Sequence, residues 1–132
     1  MKLEPKKYFT IAIDTFCVDI AFFINYTPSE VVEFSKKKKD KSLYNLIKHI
    51  EDEDFKSSGV KARMYPLKRG YLVLLKSYKK SFRTNLVCAQ HEISHLVSWI
   101  LLDRRIPLTK DTDEVYAYLT EEITKKFLFK FY

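Results

Sequence analysis

The stretch TNLVCAQHEISHLVSWILLD, residues 84–103, carries the clearest secondary-structure signal in this chain. Its apolar residues recur three and four positions apart, and one helix face collects Leu86, Ala89, Ile93, Leu96, Val97 and Ile100. The opposite face collects Cys88, His91, His95, Ser98, Trp99 and Leu102. The stretch therefore predicts a helix with one side packed against a core. This helix must end before Pro107, which disfavours helical geometry in the residue preceding it.

A last helix is predicted to begin near residues 111–113, because Asp111 and Asp113 suit the positive end of a helix dipole. Its apolar stripe consists of Tyr116, Leu119, Ile123 and Phe127. Cations suit the negative end of the dipole, and the last turns of this helix contain Lys125, Lys126 and Lys130. The C-terminal third of the chain is therefore expected to be two helices with a short connection.

Extended segments are predicted upstream, at residues 8–13, 18–24, 60–67 and 71–78, because these are rich in β-branched and aromatic residues. The first two form either one bent strand or two strands. The segment 71–78 is either an ordinary strand or an edge strand that pairs with an extended peptide. Gly70, in the short loop 68–70, is expected to adopt a positive φ.

Helical segments are predicted between these strands. Thr27-Pro28-Ser29-Glu30 has the composition of a capped helix start, with Thr27 as N-cap and Glu30 closing a capping box. A further helical stretch has its apolar stripe at Leu43, Leu46, Ile47 and Ile50. Strands and helices together predict an α+β fold in a single domain over residues 1–132.

Composition limits the class of protein. The chain has 132 residues, 46% of them hydrophobic, with two glycines and four prolines, which excludes a collagen-like or disordered polymer. Two cysteines, Cys17 and Cys88, cannot form a disulfide framework, and neither a signal peptide nor a membrane-spanning run is recognised. We therefore expect an intracellular protein with no membrane partner.

The pentapeptide His91-Glu92-Ile93-Ser94-His95 matches the H-E-x-x-H motif. Residues four apart lie one turn apart on the same helix face, so both imidazoles can bind one metal ion. Zinc bound in this way lowers the pKa of its water to about 7, and a glutamate at the second position accepts the proton. The alternative is two surface histidines on an ordinary helix. The metal site is favoured because a chance match is expected in about 0.5% of sequences of this composition.

A catalytic zinc site requires a third protein ligand and an open fourth position. Glu114, 19 residues after His95, is the preferred candidate because the intervening chain is long enough to return to the histidines. Cys88, one turn before His91, is expected to be a packed cysteine rather than a ligand. Weaker substitutes for Glu114 are Glu121, Asp113 and Asp111.

The motif followed by Glu114-Val115-Tyr116-Ala117 resembles the H-E-x-x-H plus E-x-x-A arrangement of gluzincin-type zinc metallopeptidases. Residues 91–123 are more closely similar to small, uncharacterised metallopeptidase-like proteins encoded by tailed bacteriophages. Those proteins pair an H-E-x-x-H helix with an acidic E-x-x-A-Y-L helix, a place that Asp113 to Leu119 fills here. The strong part of this resemblance covers about a quarter of the chain.

The resemblance implies a minimal zincin-like fold with one zinc ion held by His91, His95 and Glu114, and with Glu92 as general base. It implies a peptide or protein substrate and, for a viral chain, action in the cytoplasm of the host cell. Tyr118 stands where such enzymes often have an aspartate that orients the first histidine. This tyrosine is also a candidate donor to the oxyanion, as is Tyr116.

A non-catalytic function is the alternative, in which a zinc-containing phage protein binds a host protein, a virion protein or a nucleic acid. The formal net charge of +7 and the run Lys36 to Lys39 are compatible with phosphate contacts. A solvated helix end explains the lysine run equally well, because no pattern of a nucleic-acid-binding module accompanies it.

Overall fold

The structure is a computed structural model that describes residues 6–38, 62–67, 70–75 and 83–131. Within these ranges the chain forms a four-stranded sheet and three α-helices, which confirms the α+β class. The strands are β1 (Lys7–Ile13), β2 (Val18–Ile24), β3 (Ala62–Leu67) and β4 (Gly70–Leu75). The helices are α1 (Pro28–Lys37), α2 (Arg83–Asp103) and α3 (Asp113–Phe131), and a single 3₁₀ turn spans Asp14–Phe16.

The sheet is mixed and has the strand order β1-β2-β4-β3. The two N-terminal extended segments are separate strands, β1 and β2, which pair in antiparallel fashion. Strand β4 lies inside the sheet, parallel to β2 and antiparallel to β3. For residues 71–75 the edge-strand interpretation is therefore wrong, because β4 has a neighbour on each side; residues 76–78 lie outside the described part of the chain.

Two apolar layers enclose the sheet. On one face, α1 packs through Val31 and Phe34 against Phe23 of β2 and against Leu72 and Leu74 of β4. On the other face, α2 and α3 bury most of the predicted helical stripes: Ala89, Ile93, Leu96, Val97, Ile100, Leu119, Ile123 and Phe127. Leu86 and Tyr116 of these stripes are partly buried, and Leu101 and Phe131 join the core without having been predicted. The faces of α2 and α3 that point away from the sheet therefore remain available for a functional site.

Helix α1 begins with the predicted capping box. The Thr27 hydroxyl accepts a hydrogen bond from the Glu30 amide at 3.2 Å, and the Glu30 carboxylate accepts one from the Thr27 amide at 3.1 Å. The lysine run lies at the end of this helix, where Lys36 is 3.6 Å from Glu33 and Lys38 lies over the ring of Phe34. Lys36 to Lys38 are exposed, as in the solvated helix end that is one of the two interpretations of this run.

The connection between α2 and α3 reverses the chain direction. Arg105 adopts a left-handed conformation with φ 60°, and the Ile106 amide donates to the Leu101 carbonyl at 2.8 Å. These features form a Schellman motif, which satisfies the last carbonyls of α2 before Pro107. The Tyr116 hydroxyl donates to the Ile106 carbonyl at 2.8 Å and joins the start of α3 to this connection. The two helices consequently run antiparallel.

The C-terminal end of α2 is joined to the sheet by a polar pair. The Tyr71 hydroxyl on β4 donates a hydrogen bond to the carboxylate of Asp103, and its ring centroid lies 6.1 Å from that of Trp99. Burial raises the pKa of the Tyr71 hydroxyl above its usual range, and the hydrogen bond to Asp103 raises it further. The hydroxyl therefore remains a donor at neutral pH and stabilises the position of α2 over β4.

Several predicted features lie outside the described residues, among them the helical stretch with Leu43 to Ile50, Lys39 and the loop residues 68–69. In the part of the chain that the structure describes, no helix combines the length and the apolar character needed to cross a bilayer.

Gly70 lies within β4 and not in the hairpin loop as expected. A glycine is required here by the close approach of a neighbouring strand rather than by a turn. A β-carbon at this position would overlap the carbonyl oxygen of Asp19 on β2, its partner in the parallel register. Replacing Gly70 with Ala is therefore expected to lower the free energy of unfolding by at least about 1–3 kcal/mol, because either strand must shift. Urea denaturation measures this change.

The exposed Thr10 of the edge strand β1 provides a control for this substitution. Thr10→Ala is expected to change the free energy of unfolding by no more than about 0.5 kcal/mol. A Gly70→Ala variant that unfolds at the wild-type urea midpoint would contradict the close approach of β2 and β4.

Candidate metal site

The metal-binding motif lies on the solvent-facing side of α2. Ile93 faces the sheet and is buried, whereas His91 and His95 project from the opposite side and are exposed. This placement follows from the helical period, because residues 91 and 95 lie about 160–200° around the helix from residue 93. Both imidazoles are consequently accessible to an ion and to a substrate from outside the protein.

The two histidine side chains converge on one point. The Nε2 atoms of His91 and His95 are 3.0 Å apart, and their rings meet edge to face with an interplanar angle of 82°. Two neutral imidazoles at this distance either share one N–H···N hydrogen bond or direct both lone pairs to a cation. The pair is therefore the strongest candidate for a metal site among the described residues.

Glu92 completes a cluster with the histidines. One ligand atom from each of His91, Glu92 and His95 can be chosen so that all three lie within 4.8 Å of one another. Glu92 is half-buried and lies on the edge of α2 that also carries Trp99 and Asp103, which both contact Tyr71 of β4. Its side chain therefore leaves α2 on the side of the helix that is nearer β4.

The donor set fits zinc. Zinc binds imidazole nitrogen at about 2.0–2.1 Å and prefers tetrahedral angles, which correspond to an N···N distance of about 3.3–3.4 Å. The observed Nε2···Nε2 distance of 3.0 Å is a few tenths of an ångström shorter than this. A small rotation of the two imidazole rings would therefore allow His91 and His95 to hold a zinc ion.

Glu114 is not part of this cluster. It is exposed in the first turn of α3. On the adjacent helices, the Thr124 hydroxyl donates to the Gln90 side-chain oxygen at 3.3 Å, so these two residues lie level with each other. With a rise of about 1.5 Å per residue in antiparallel helices, Glu114 lies level with residue 100, roughly 10 Å along the axis from the centre of the histidine pair. Its assignment as a ligand stays a prediction.

The other candidate residues occupy distinct places. Tyr118 is 67% exposed and lies about 120° around α3 from Thr124, which faces α2. Tyr116 is half-buried with its hydroxyl bonded to Ile106, so this group is already used within the fold. Cys88 is a half-buried free thiol outside the cluster, and its assignment as a packed cysteine stays a prediction.

A second polar group of residues was not found by sequence reasoning. A cleft of about 340 Å³ at the end of α2 is lined in part by Cys17, Tyr71, Asp103 and Arg104, and Arg104 donates to the Phe16 carbonyl. These residues come from three distant segments and share no motif, so only the fold brings them together.

The geometry of His91, Glu92 and His95 is the main functional observation on the described residues. His91 and His95 are the residues that the motif predicts as ligands, and a Glu92 ligand atom lies within 4.8 Å of theirs. In comparisons with known proteins, the chain matches no family model, and no similar curated protein or solved structure was found.

Proposed function

We propose that this protein is a zinc-dependent peptide or amide hydrolase, with His91 and His95 as zinc ligands and Glu92 as general base. The observation that carries the proposal is the 3.0 Å approach of the two Nε2 atoms, with a Glu92 ligand atom inside the same 4.8 Å cluster. Nitrogen donors one helical turn apart with an adjacent carboxylate are the groups that this chemistry requires.

Zinc, when bound, acts as a Lewis acid that lowers the pKa of a coordinated water to about 7 and polarises a carbonyl group. Glu92 accepts the proton that the attacking water loses and returns it to the leaving amine as the amide bond breaks. Because His91 and His95 are exposed, an extended peptide can approach this face without an opening motion.

We further propose that the described elements form a minimal zincin-like fold with one zinc ion per chain. A motif-bearing helix packed on a mixed sheet, followed by an antiparallel helix that begins with acidic residues, supports this assignment. The proposed substrate is a peptide or protein, and we propose that it comes from the phage or from the infected host cell.

The experiment is a hydrolysis assay with protein purified without a polyhistidine tag. The zinc-loaded protein is expected to cleave members of a mixed peptide library, a chelator is expected to abolish cleavage, and one equivalent of zinc is expected to restore it. Mass spectrometry of the products measures cleavage. Products that persist unchanged after chelation, or no cleavage by protein that holds one zinc per chain, would contradict the proposal.

A second candidate function is a non-catalytic zinc-containing protein that binds a partner. The observation in its favour is the group of large apolar side chains exposed on the solvent-facing side of α2, namely Val87, Trp99 and Leu102. In that case zinc is retained, no peptide is cleaved, and substitution of Glu92 leaves partner binding unaltered.

A further inference from the structure

We propose that Glu121 of α3, rather than Glu114, is the carboxylate that completes the zinc ligand set with His91 and His95. This inference rests on the proposed zinc site and adds the residue that a tetrahedral site with one open position still lacks. It depends on how α2 and α3 are aligned, a property that the structure shows and the motif does not.

The alignment of the two helices places the backbone of Glu121 level with the histidines, while its carboxylate, like that of Glu114, lies outside the cluster of His91, Glu92 and His95. Thr124 and Gln90 are in contact at 3.3 Å, and Glu121 precedes Thr124 by three residues. In antiparallel helices of equal rise, the residue of α2 level with Glu121 is therefore residue 93, midway between His91 and His95. Glu114 lies two further turns away along α3.

The direction of the side chain agrees with this placement. Three residues along a helix correspond to a rotation of about 300°, so Glu121 lies about 60° from Thr124, on the outer edge of the surface that faces α2. Packed helices lie about 8–10 Å apart between their axes, a gap that a glutamate and a histidine together can span. Glu92 approaches the histidines from the other edge of α2, so the two carboxylates would flank the ion.

The Glu121 side chain is exposed, so it can change rotamer to reach a ligand position beside α2. Its carboxylate lies 3.8 Å from the ammonium group of Lys125, one turn later on α3, and both side chains are mostly exposed. Exposed ion pairs of this kind are weak because water and salt screen them. A divalent ion bound to the histidines can therefore displace Lys125 from the Glu121 carboxylate at a small cost in free energy.

The chain offers a matched control. Glu122 is adjacent in sequence and pairs with Lys126 at 3.2 Å in the same i,i+4 geometry, but it lies on the β1 side of α3, where Lys126 also bonds to the Ala12 carbonyl. Glu122→Gln removes the same charge and the same kind of ion pair. The Glu122→Gln variant keeps the carboxylate of Glu121.

The test is the zinc dissociation constant, measured by competition with a chromophoric chelator, together with the visible spectrum of the cobalt-substituted protein. Glu121→Gln is expected to weaken zinc binding by at least about tenfold and to change the cobalt spectrum. Glu114→Gln and Glu122→Gln are expected to remain within about twofold of the wild type. Glu121→His supplies a nitrogen donor at the same level and is expected to restore most of the affinity.

Three outcomes separate the two proposals. Zinc binding lost in His91→Ala but unaltered in Glu121→Gln overturns the role of Glu121 and leaves the proposed zinc site standing. Loss in Glu114→Gln with no loss in Glu121→Gln also overturns it, in favour of Glu114. Zinc affinity that is the same in the wild type and in His91→Ala overturns the proposed site itself. Thermal unfolding of each apoprotein confirms that these surface variants are folded.

Discussion

Replacing Glu92 with Gln is expected to lower the rate of peptide hydrolysis by about 10²–10⁴-fold while the protein still binds one zinc ion. The amide has nearly the shape of the carboxylate but cannot accept a proton from water. Since His91 and His95 are unchanged, the nitrogen donors remain in place. Initial rates on a cleaved peptide and the zinc content of the same sample measure the two effects.

Glu122→Gln is the control for the Glu92 substitution. It also replaces a carboxylate with an amide, but Glu122 belongs to α3 and lies outside the cluster. Its hydrolysis rate is expected to equal that of the wild type. A Glu92→Gln variant with full activity would contradict the role of Glu92 as base. A Glu92→Gln variant that loses its zinc would show that the carboxylate is a ligand instead.

Replacing His95 with Ala is expected to abolish the stabilisation of the protein by zinc. A ligand that binds only the folded state at 100 times its dissociation constant raises the free energy of unfolding by about 2.7 kcal/mol. With an unfolding entropy of about 2.1 cal/mol/K per residue, this corresponds to a rise in Tm of roughly 10 °C for a chain of 132 residues. Differential scanning calorimetry with and without zinc measures the shift.

Ser94→Ala provides the comparison for the His95 substitution, because Ser94 lies within the same motif and its hydroxyl donates to the Gln90 carbonyl. Its zinc-dependent rise in Tm is expected to match that of the wild type. If His95→Ala and the wild type gain the same stability from zinc, the ion is bound elsewhere in the chain.

Local patterns predicted the elements on which the site is built. The spacing of apolar residues identified the buried faces of α2 and α3, and Leu119, Ile123 and Phe127 are buried as expected. The composition Thr27-Pro28-Ser29-Glu30 identified the capping box, because both of its hydrogen bonds are made within one turn. The two histidines converge for the same reason, since residues four apart are neighbours on any helix.

Relations between distant segments were not predictable from the sequence. The sequence does not distinguish an edge strand from an ordinary strand for β4, because its position between β2 and β3 depends on a parallel pairing with β2, which lies far away in the sequence. Gly70 was expected to serve a turn, whereas its neighbour Asp19 comes from that pairing. Contacts between distant segments produce no periodic pattern of residues by which they could be recognised in the sequence.

The third ligand illustrates the same limit. Glu114 was preferred because of its distance in sequence from His95 and its place in the family pattern. The axial alignment of α3 relative to α2, however, follows from the turn at Arg105 and from the contact of Thr124 with Gln90. These contacts place the backbone of Glu121 level with the histidine pair and that of Glu114 about two turns further along α3.

An equilibrium titration of apoprotein with zinc, monitored by competition with a chromophoric chelator, tests the central feature of this site most directly. The wild type is expected to bind one ion per chain, and variants with His91 or His95 replaced by Ala are expected to lose that binding while remaining folded. Equal stoichiometry and affinity in the wild type and in both histidine variants would contradict a metal site on α2.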